Sequence, residues 1–504
     1  MERKSIIIIG GGLAGLSAGV YARMNGYDVH IFEHAAIPGG VCTSWKTGGY
    51  MIDGCIHWLV GRKPGLSVYQ AYKELGIVDA TRFLPVKTYI NFMDERTGGR
   101  FELTSDEEAV RRRLVELAPE DSGTIQEFLH ACMVMSELQV PTGSSPKTRS
   151  MIQKITGLWQ KGKLLRYFLH YHESLRDYAQ KIKNPWVRNI IMNLFLPDMT
   201  TMFSIMMLGY LFTDQLGMVE GGSLRFALPI EKRLKKLGGR ITYNATVEKV
   251  LVSGNTAGGV RLAGGSEHRA DIVISAADLH ATLEDMLDGK YTNKRFESMF
   301  KSWEMFTPLM LVSFGVRGAL KSHPPVNVLF LKEPLSVGNS AIDRLMVRDY
   351  SYDKVMNPGD KTVIQAEIET EYDYWIDLRT RSEEAYSREK DAVARRVLER
   401  IEAFYPGITA KVEVTDVATP YTFLRYTRNY RGAFEGWLMT GETIKHPVPK
   451  TIEGLKNFYL AGQWVEPGGG VPTAVASGRR IIKKICSDDK KEFVTTPGQH
   501  AQHP

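Results

Sequence analysis

The first residues whose types and spacing promise chemistry are Gly10-Gly11-Gly12-Leu13-Ala14-Gly15, a G-x-G-x-x-G run. Such a run does chemistry when it joins a strand to a helix. The turn then lets backbone approach a pyrophosphate, and the helix offers it free N–H groups and a positive dipole end. Here the run follows Ile6–Ile9 and opens an apolar segment that reaches Asn25. Glu33, 23 positions after Gly10, ends a second strand-like run, where its carboxylate can accept from a ribose diol and repel a 2′-phosphate. The alternative is a glycine-rich turn without a ligand. The fingerprint alone leaves NAD and FAD both open.

A second set of residues bears on that choice. Gly39-Gly40, then Thr43-Ser44, follow Glu33 closely. Near the other end, Ala461-Gly462-Gln463-Trp464 and Gly468-Gly469-Gly470-Val471-Pro472 lead into a helix from Thr473. Pro472 suits a first helical position. The start of that helix would set partial positive charge beside a flavin ring, whose pyrimidine edge gathers negative charge on reduction.

These residues need elements to hold them. Ile6–Ile9, the helix from Leu13 and Val29–Glu33 predict a strand–helix–strand unit. Residues 71–214 read as largely helical. Strand-like alternation follows over 240–280, with further strands at Leu309–Val316 and Lys361–Ile368 and a helix at Ser387–Phe404. The chain has 504 residues, enough for a large core and an enclosed cavity. Its net charge of +7 is too diffuse to argue for nucleic acid. Four cysteines without a Cys-x-x-Cys pair argue against a disulfide scaffold or a zinc ribbon, and no metal is expected. The apolar stretch Asn189–Phe212 is broken by Pro197 and Asp198 and reads as buried helix or tunnel wall rather than a membrane span. The N-terminal apolar run is too short for a signal peptide, so the expected compartment is cytoplasmic.

The double glycine after Glu33, the block Ala461–Trp464 with Gly468–Pro472, and Thr419-Pro420-Tyr421 through Gly436-Trp437 together resemble the phytoene desaturase, carotenoid isomerase and retinol saturase group within the flavin amine oxidase superfamily. The resemblance covers almost the whole chain except its tail. Asp53-Gly54-Cys55-Ile56-His57-Trp58 is closer to the retinol saturase branch. Val41 stands where amine oxidases usually carry arginine, and Gln463 where they often carry an acid.

The resemblance implies an α/β fold: a Rossmann-like FAD-binding domain of the amine oxidase type, assembled from residues 1–70, 215–285 and 450–486. An interleaved α+β substrate domain would take 71–214 and 286–449; the run 487–504, polar and without periodicity, reads as a disordered tail. The implied FAD-binding residues are Gly10, Gly12, Leu13, Ala14, Gly15, Glu33, Gly39, Gly40, Val41, Thr43, Ser44, Val247, Gly462, Gln463, Val471, Pro472 and Thr473, with Val247 presenting backbone to the adenine. The implied activity is FAD-dependent oxidoreduction of C–C or C=C bonds of a long apolar isoprenoid or polyene, with hydride transfer at flavin N5. The absence of a second fingerprint calls for an external electron donor or acceptor: oxygen, a quinone or a reduced carrier. Two alternatives are a flavin amine oxidase and a non-enzymatic prenyl-lipid carrier on the same fold.

His57 is the candidate proton donor or acceptor, because its ordinary pKa lies near neutrality. Tyr426 and Trp437 are candidates to wall the ring or donate a proton. For all three, ordinary packing or hydrogen bonding is the competing reading. Met199, Met202, Met206 and Met207 with Phe195, Phe203 and Phe212 form a candidate soft wall for a lipid. The basic, aromatic stretch 147–188 is a candidate membrane-contact helix, which would make the protein peripherally membrane-associated.

Overall fold

The structure is a computed structural model and describes residues 3–136, 162 and 166–496. β1 (Ser5–Ile9), α1 (Leu13–Met24) and β2 (Asp28–Phe32) form the expected unit. β-Branched Ile6–Ile9 are all buried, as a strand covered on both faces requires. A five-stranded parallel sheet grows around β1, in the order Arg240–Thr242, β2, β1, Ile272–Ser275, Phe458–Leu460. Segments more than 400 residues apart thus share one sheet, with Ile6 opposite Ile272 and Val273 opposite Phe458. The last helix, Val471–Asp488, lies on α1, and Ser17 Oγ donates to the Val475 carbonyl at 2.8 Å. Gly478 permits the approach: a Cβ there would sit 2.5 Å from the Ala14 carbonyl oxygen.

A second, seven-stranded sheet runs Val412–Ala418, Leu309–Arg317, Lys361–Glu369, Ser340–Asp349, Val326–Val337, Thr88–Asp94, Arg100–Thr104. Its pairings are antiparallel except that of Val326–Val337 with Thr88–Asp94. The helix Glu383–Glu402 and Trp375 pack with residues of this sheet in one core. Helices Ser122–Ser136, Pro185–Met192 and Thr201–Phe212 pack in another, with Phe92 and Val328.

Residues 71–214 are therefore less helical than expected. Thr88–Asp94 and Arg100–Thr104 are strands whose apolar residues, Ile90, Phe92, Phe101 and Leu103, alternate into a core. The stretch Asn189–Phe212 divides into two helices at Pro197 and Asp198, and among the described residues no helix is long and apolar enough to cross a membrane. Most of 147–165 lies outside the described residues. From Tyr171 onward the described part of that stretch packs inward: Tyr171, Leu175, Tyr178, Val187, Ile190 and Ile191 turn into the protein core. The tail also begins later than expected. Ser487 and Asp488 extend the last helix, Phe493 packs against Tyr21, and Val494 exchanges two hydrogen bonds with the Asn25 side chain. Residues 497–504 lie outside the described residues.

Candidate functional site

One cavity of about 780 Å³ runs between the two sheets. At one end it is lined by Gly10, Gly12, Leu13, Ala14, Glu33, Gly39, Gly40, Val41 and Val247, and further along by Gly462, Gln463, Val471, Pro472 and Thr473. The double glycine reaches the fingerprint through a backbone bridge: the Gly39 N–H donates to the Gly11 carbonyl at 2.9 Å, and Gly12 faces Gly39. Gly40 lies so close to Gly12 that an added Cβ would stand 3.2 Å from its Cα.

Gly15, Thr43 and Ser44 belong to the site's frame and not its wall. A Cβ on Gly15 would fall 2.0 Å from the Gly10 carbonyl oxygen, so its role is to let α1 start directly behind the turn. Ser44 Oγ donates to Asp53 at 3.1 Å and accepts from the Leu224 N–H, tying a hairpin to the start of the helix Leu224–Lys236. Thr43 Oγ1 is buried without a hydrogen-bond partner. Asp53 is likewise structural: it accepts from Ser223 Oγ at 2.6 Å and from the Cys55 N–H at 3.0 Å.

The donor set fits a flavin dinucleotide. α1 and the last helix both begin at the cavity, at Gly12 and Gly470, without a side-chain cap or an acidic first turn. The first N–H groups of a helix have no intrahelical partner, so both termini offer donors to anionic oxygens. Glu33 is buried, accepts from the Gly11 and Ala35 N–H groups, and has lone pairs left for a diol. Burial pushes its pKa up, and those two N–H groups pull it back in part.

The other end of the cavity is apolar. Phe195, Phe203, Met206, Met207, Phe306 and Phe434 line it. Met199, Met202 and Phe212, expected in the same wall, do not; they pack into the surrounding cores.

His57 lines the junction of the two ends. Its Nε2 lies 2.9 Å from Glu367 Oε1, and the Arg348 guanidinium approaches the same oxygen at 3.5 Å. Arg348 is 1% exposed and also donates to the Ile56 carbonyl at 2.9 Å, so it fixes both the carboxylate and the backbone before His57. Burial pushes the Glu367 carboxyl up, but His57 and Arg348 outweigh it and hold its pKa below the ordinary value of 4.5. The carboxylate is thus ionised at neutral pH and orients the imidazole, the arrangement that prepares a histidine to hold or move a proton.

Tyr426 and Trp437 do not join it. Phe423 and Thr427 put one face of the helix Pro420–Thr427 on the cavity. Tyr426 is turned about 100° from Thr427; it is 56% exposed, with its hydroxyl accepting from Arg425. Trp437 is 1% exposed, donates Nε1–H to the Trp464 carbonyl at 3.1 Å, and packs edge-on against Trp464 and Trp303. It holds the wall from behind.

Sequence reasoning missed Glu367 and Arg348. A signal existed: Gln365, Glu367 and Glu369 repeat every second position in the second half of a strand whose residues between them, Ala366 and Ile368, are apolar, which sets three polar residues on one face.

Residues 13–481 match the model of the flavin containing amine oxidoreductase family. The chain belongs to that family. It is an FAD-dependent oxidoreductase, and the match takes in the whole seven-stranded sheet and all of the parallel sheet but β1. Among curated relatives, a lycopene-forming phytoene desaturase of Paracoccus sp. is 24% identical, over 96% of this chain and 98% of its own. A 4,4'-diaponeurosporene oxygenase of Staphylococcus haemolyticus is 24% identical over 96% and 97%, and a 1-hydroxycarotenoid 3,4-desaturase of Flavobacterium sp. 24% over 94% and 98%. Among solved structures, putrescine oxidase bound to putrescine aligns with a TM-score of 0.60 at 14% identity, over 96% of this chain and 99% of that one. An oxidoreductase from Methanosarcina mazei gives 0.58 at 16%, over 95% and 100%. These likenesses show the flavin amine oxidase fold.

Proposed function

We propose that this flavoenzyme oxidises, reduces or isomerises carbon–carbon double bonds of a long apolar polyene or isoprenoid. The observation that carries the reading is the single cavity whose cofactor-fitting end opens directly onto a wall of phenylalanine and methionine. Methionine suits a long, flexible apolar ligand, because its side chain adapts to several shapes. The carotenoid enzymes among the relatives support the same substrate class. A small polar amine would gain little from this wall.

FAD supplies hydride exchange at N5. Gly10, Gly12, Leu13, Ala14 and Glu33 would hold its phosphate and ribose end; Gly462, Gln463 and Val471–Thr473 would hold the other. The chain's own contributions are positioning and proton control. The apolar wall excludes water and aligns the polyene. His57, fixed by Glu367 and Arg348, gives or takes the single proton that saturation or desaturation requires. Electrons pass to or from an external oxygen, quinone or reduced carrier. Because polyenes dissolve in bilayers, the enzyme meets its substrate at a membrane surface while working from the cytoplasm.

The test is anaerobic. The purified holoprotein is reduced chemically, and retinol or a carotenoid is added in micelles. Return of the oxidised flavin bands with loss of the polyene chromophore marks a saturase. Desaturation is tested with oxidised enzyme and a less conjugated polyene, and isomerisation by separating the polyene isomers. Failure of every polyene in all three assays, with rapid flavin reduction by an amine, overturns the reading.

A further inference from the structure

Another of the glutamates that line this cavity stands in circumstances opposite to those of Glu367. Glu435 lies between Phe434 and Gly436, on the segment whose Gly436 backs onto Gln463. It is only partly buried because it lines the cavity, yet its Oε2 is sealed from solvent and has no hydrogen-bond partner. The same oxygen sits over Gly469, where a Cβ would meet it at 1.4 Å. Gly469 and Gly470 immediately precede the last helix, so this carboxyl stands where the uncapped N-terminus meets the cavity.

We propose that Glu435 is a cofactor-contacting acid that stands as a neutral carboxyl beside the flavin and donates its O–H there, so that its ionisation weakens FAD binding. With Oε2 sealed and unpartnered, a carboxylate there is costly even beside the Gly470 N–H, whereas a carboxylic acid keeps Oε2 as its carbonyl oxygen and needs only an acceptor for the O–H on its other oxygen. Flavin rings carry carbonyl and imine acceptors along one edge. The charged groups around Glu435 leave it alone. Glu466 is engaged by Lys450 at 2.8 Å and Arg480 at 2.9 Å; Arg431 pairs with Asp373; Glu304 points to solvent; Arg428 lines the cavity from the preceding helix end. Two influences act on Glu435: burial, which pushes its pKa up to about 8, and the Gly470 N–H, which favours the charged form. The inference requires FAD and is independent of the substrate.

The experiment is FAD binding to the flavin-depleted full chain, read by quenching of flavin fluorescence from pH 6 to 10. The expected dissociation constant is flat below pH 7 and rises above about pH 8, approaching tenfold per pH unit. In Glu435→Gln, which keeps the shape and cannot ionise, that rise disappears. A flat wild-type profile overturns the proposal by itself, whether or not the variant folds. An equal rise in wild type and Glu435→Gln overturns it too, since another group would then be titrating. As a second readout, the infrared difference spectrum of flavin reduction at pH 7 should contain a protonated carboxyl band in the wild type. Its absence there also overturns the proposal.

Discussion

The two ends of the cavity are built in different ways. The cofactor end is made of backbone: glycine turns, two helix starts and one strand-end carboxylate, most of them within short runs of sequence. The junction and the apolar end are made of side chains from far-apart segments, among them His57, Phe195, Met206, Phe306, Arg344 and Glu367. Backbone recognition tolerates few substitutions but serves any substrate. Side-chain recognition can be rebuilt one residue at a time. A family can therefore keep its cofactor and change its chemistry, because the two tasks fall on different kinds of atoms.

This contrast can be broken most completely at Gly15. Gly15→Val forces a Cβ into the Gly10 carbonyl and moves the start of α1. The expected result is loss of bound FAD, read as flavin absorbance falling to background against protein absorbance. A substitution at the other end should leave that ratio intact. His57→Ala is expected to lower kcat by about 10²–10⁴-fold, the usual share of a general acid or base, with flavin content unchanged. Loss of flavin along with activity would mean that His57 serves the cofactor instead.

Arg348→Ala should destabilise the protein by about 3–5 kcal/mol, because it leaves a buried carboxylate short of a partner; urea unfolding measures it. The same network has a pH signature. The folded pKa of Glu367 lies below its ordinary value of 4.5, so below that pH the unfolded chain binds more protons. The stabilisation is fully present above about pH 4.5 and is lost as pH falls through the folded value. Glu367→Gln should flatten that acid limb. The smallest effect is expected from Met206→Ala, which trims the apolar wall: about tenfold in KM for a polyene, equivalent to about 1.4 kcal/mol, with kcat nearly unchanged.

How much was legible in the sequence follows the same division. β1, α1, β2, Ile272–Ser275 and the last helix could be read, because each carries a local pattern: a β-branched run, a glycine turn, a proline at a helix start. Glu33 could be placed by its distance from Gly10. The strands Thr88–Asp94 and Arg100–Thr104 were lost in a stretch that reads as helical, since their alternation is short and the strand that joins their hairpin to the sheet, Val326–Val337, lies over 200 residues away. Tyr426 and Trp437 show the limit at the site. Being near functional residues in sequence says nothing about which way a side chain points on a helix or in a loop. His57 could be nominated by type, whereas its partners could not, because Glu367 reaches it only through a sheet built from distant strands.

The contact between α1 and the last helix has a consequence for biosynthesis. The phosphate-facing turn emerges from the ribosome more than 450 residues before Gly478 and Val475, which buttress α1. Phe458–Leu460, the edge strand of the parallel sheet, is also late. FAD loading must therefore wait until the chain past Gly478 is made, and the nascent chain must carry its half-built sheet, with an open edge, until Phe458–Leu460 arrives. Truncation before Val471 would remove the first cofactor motif's support while leaving every residue of that motif in place.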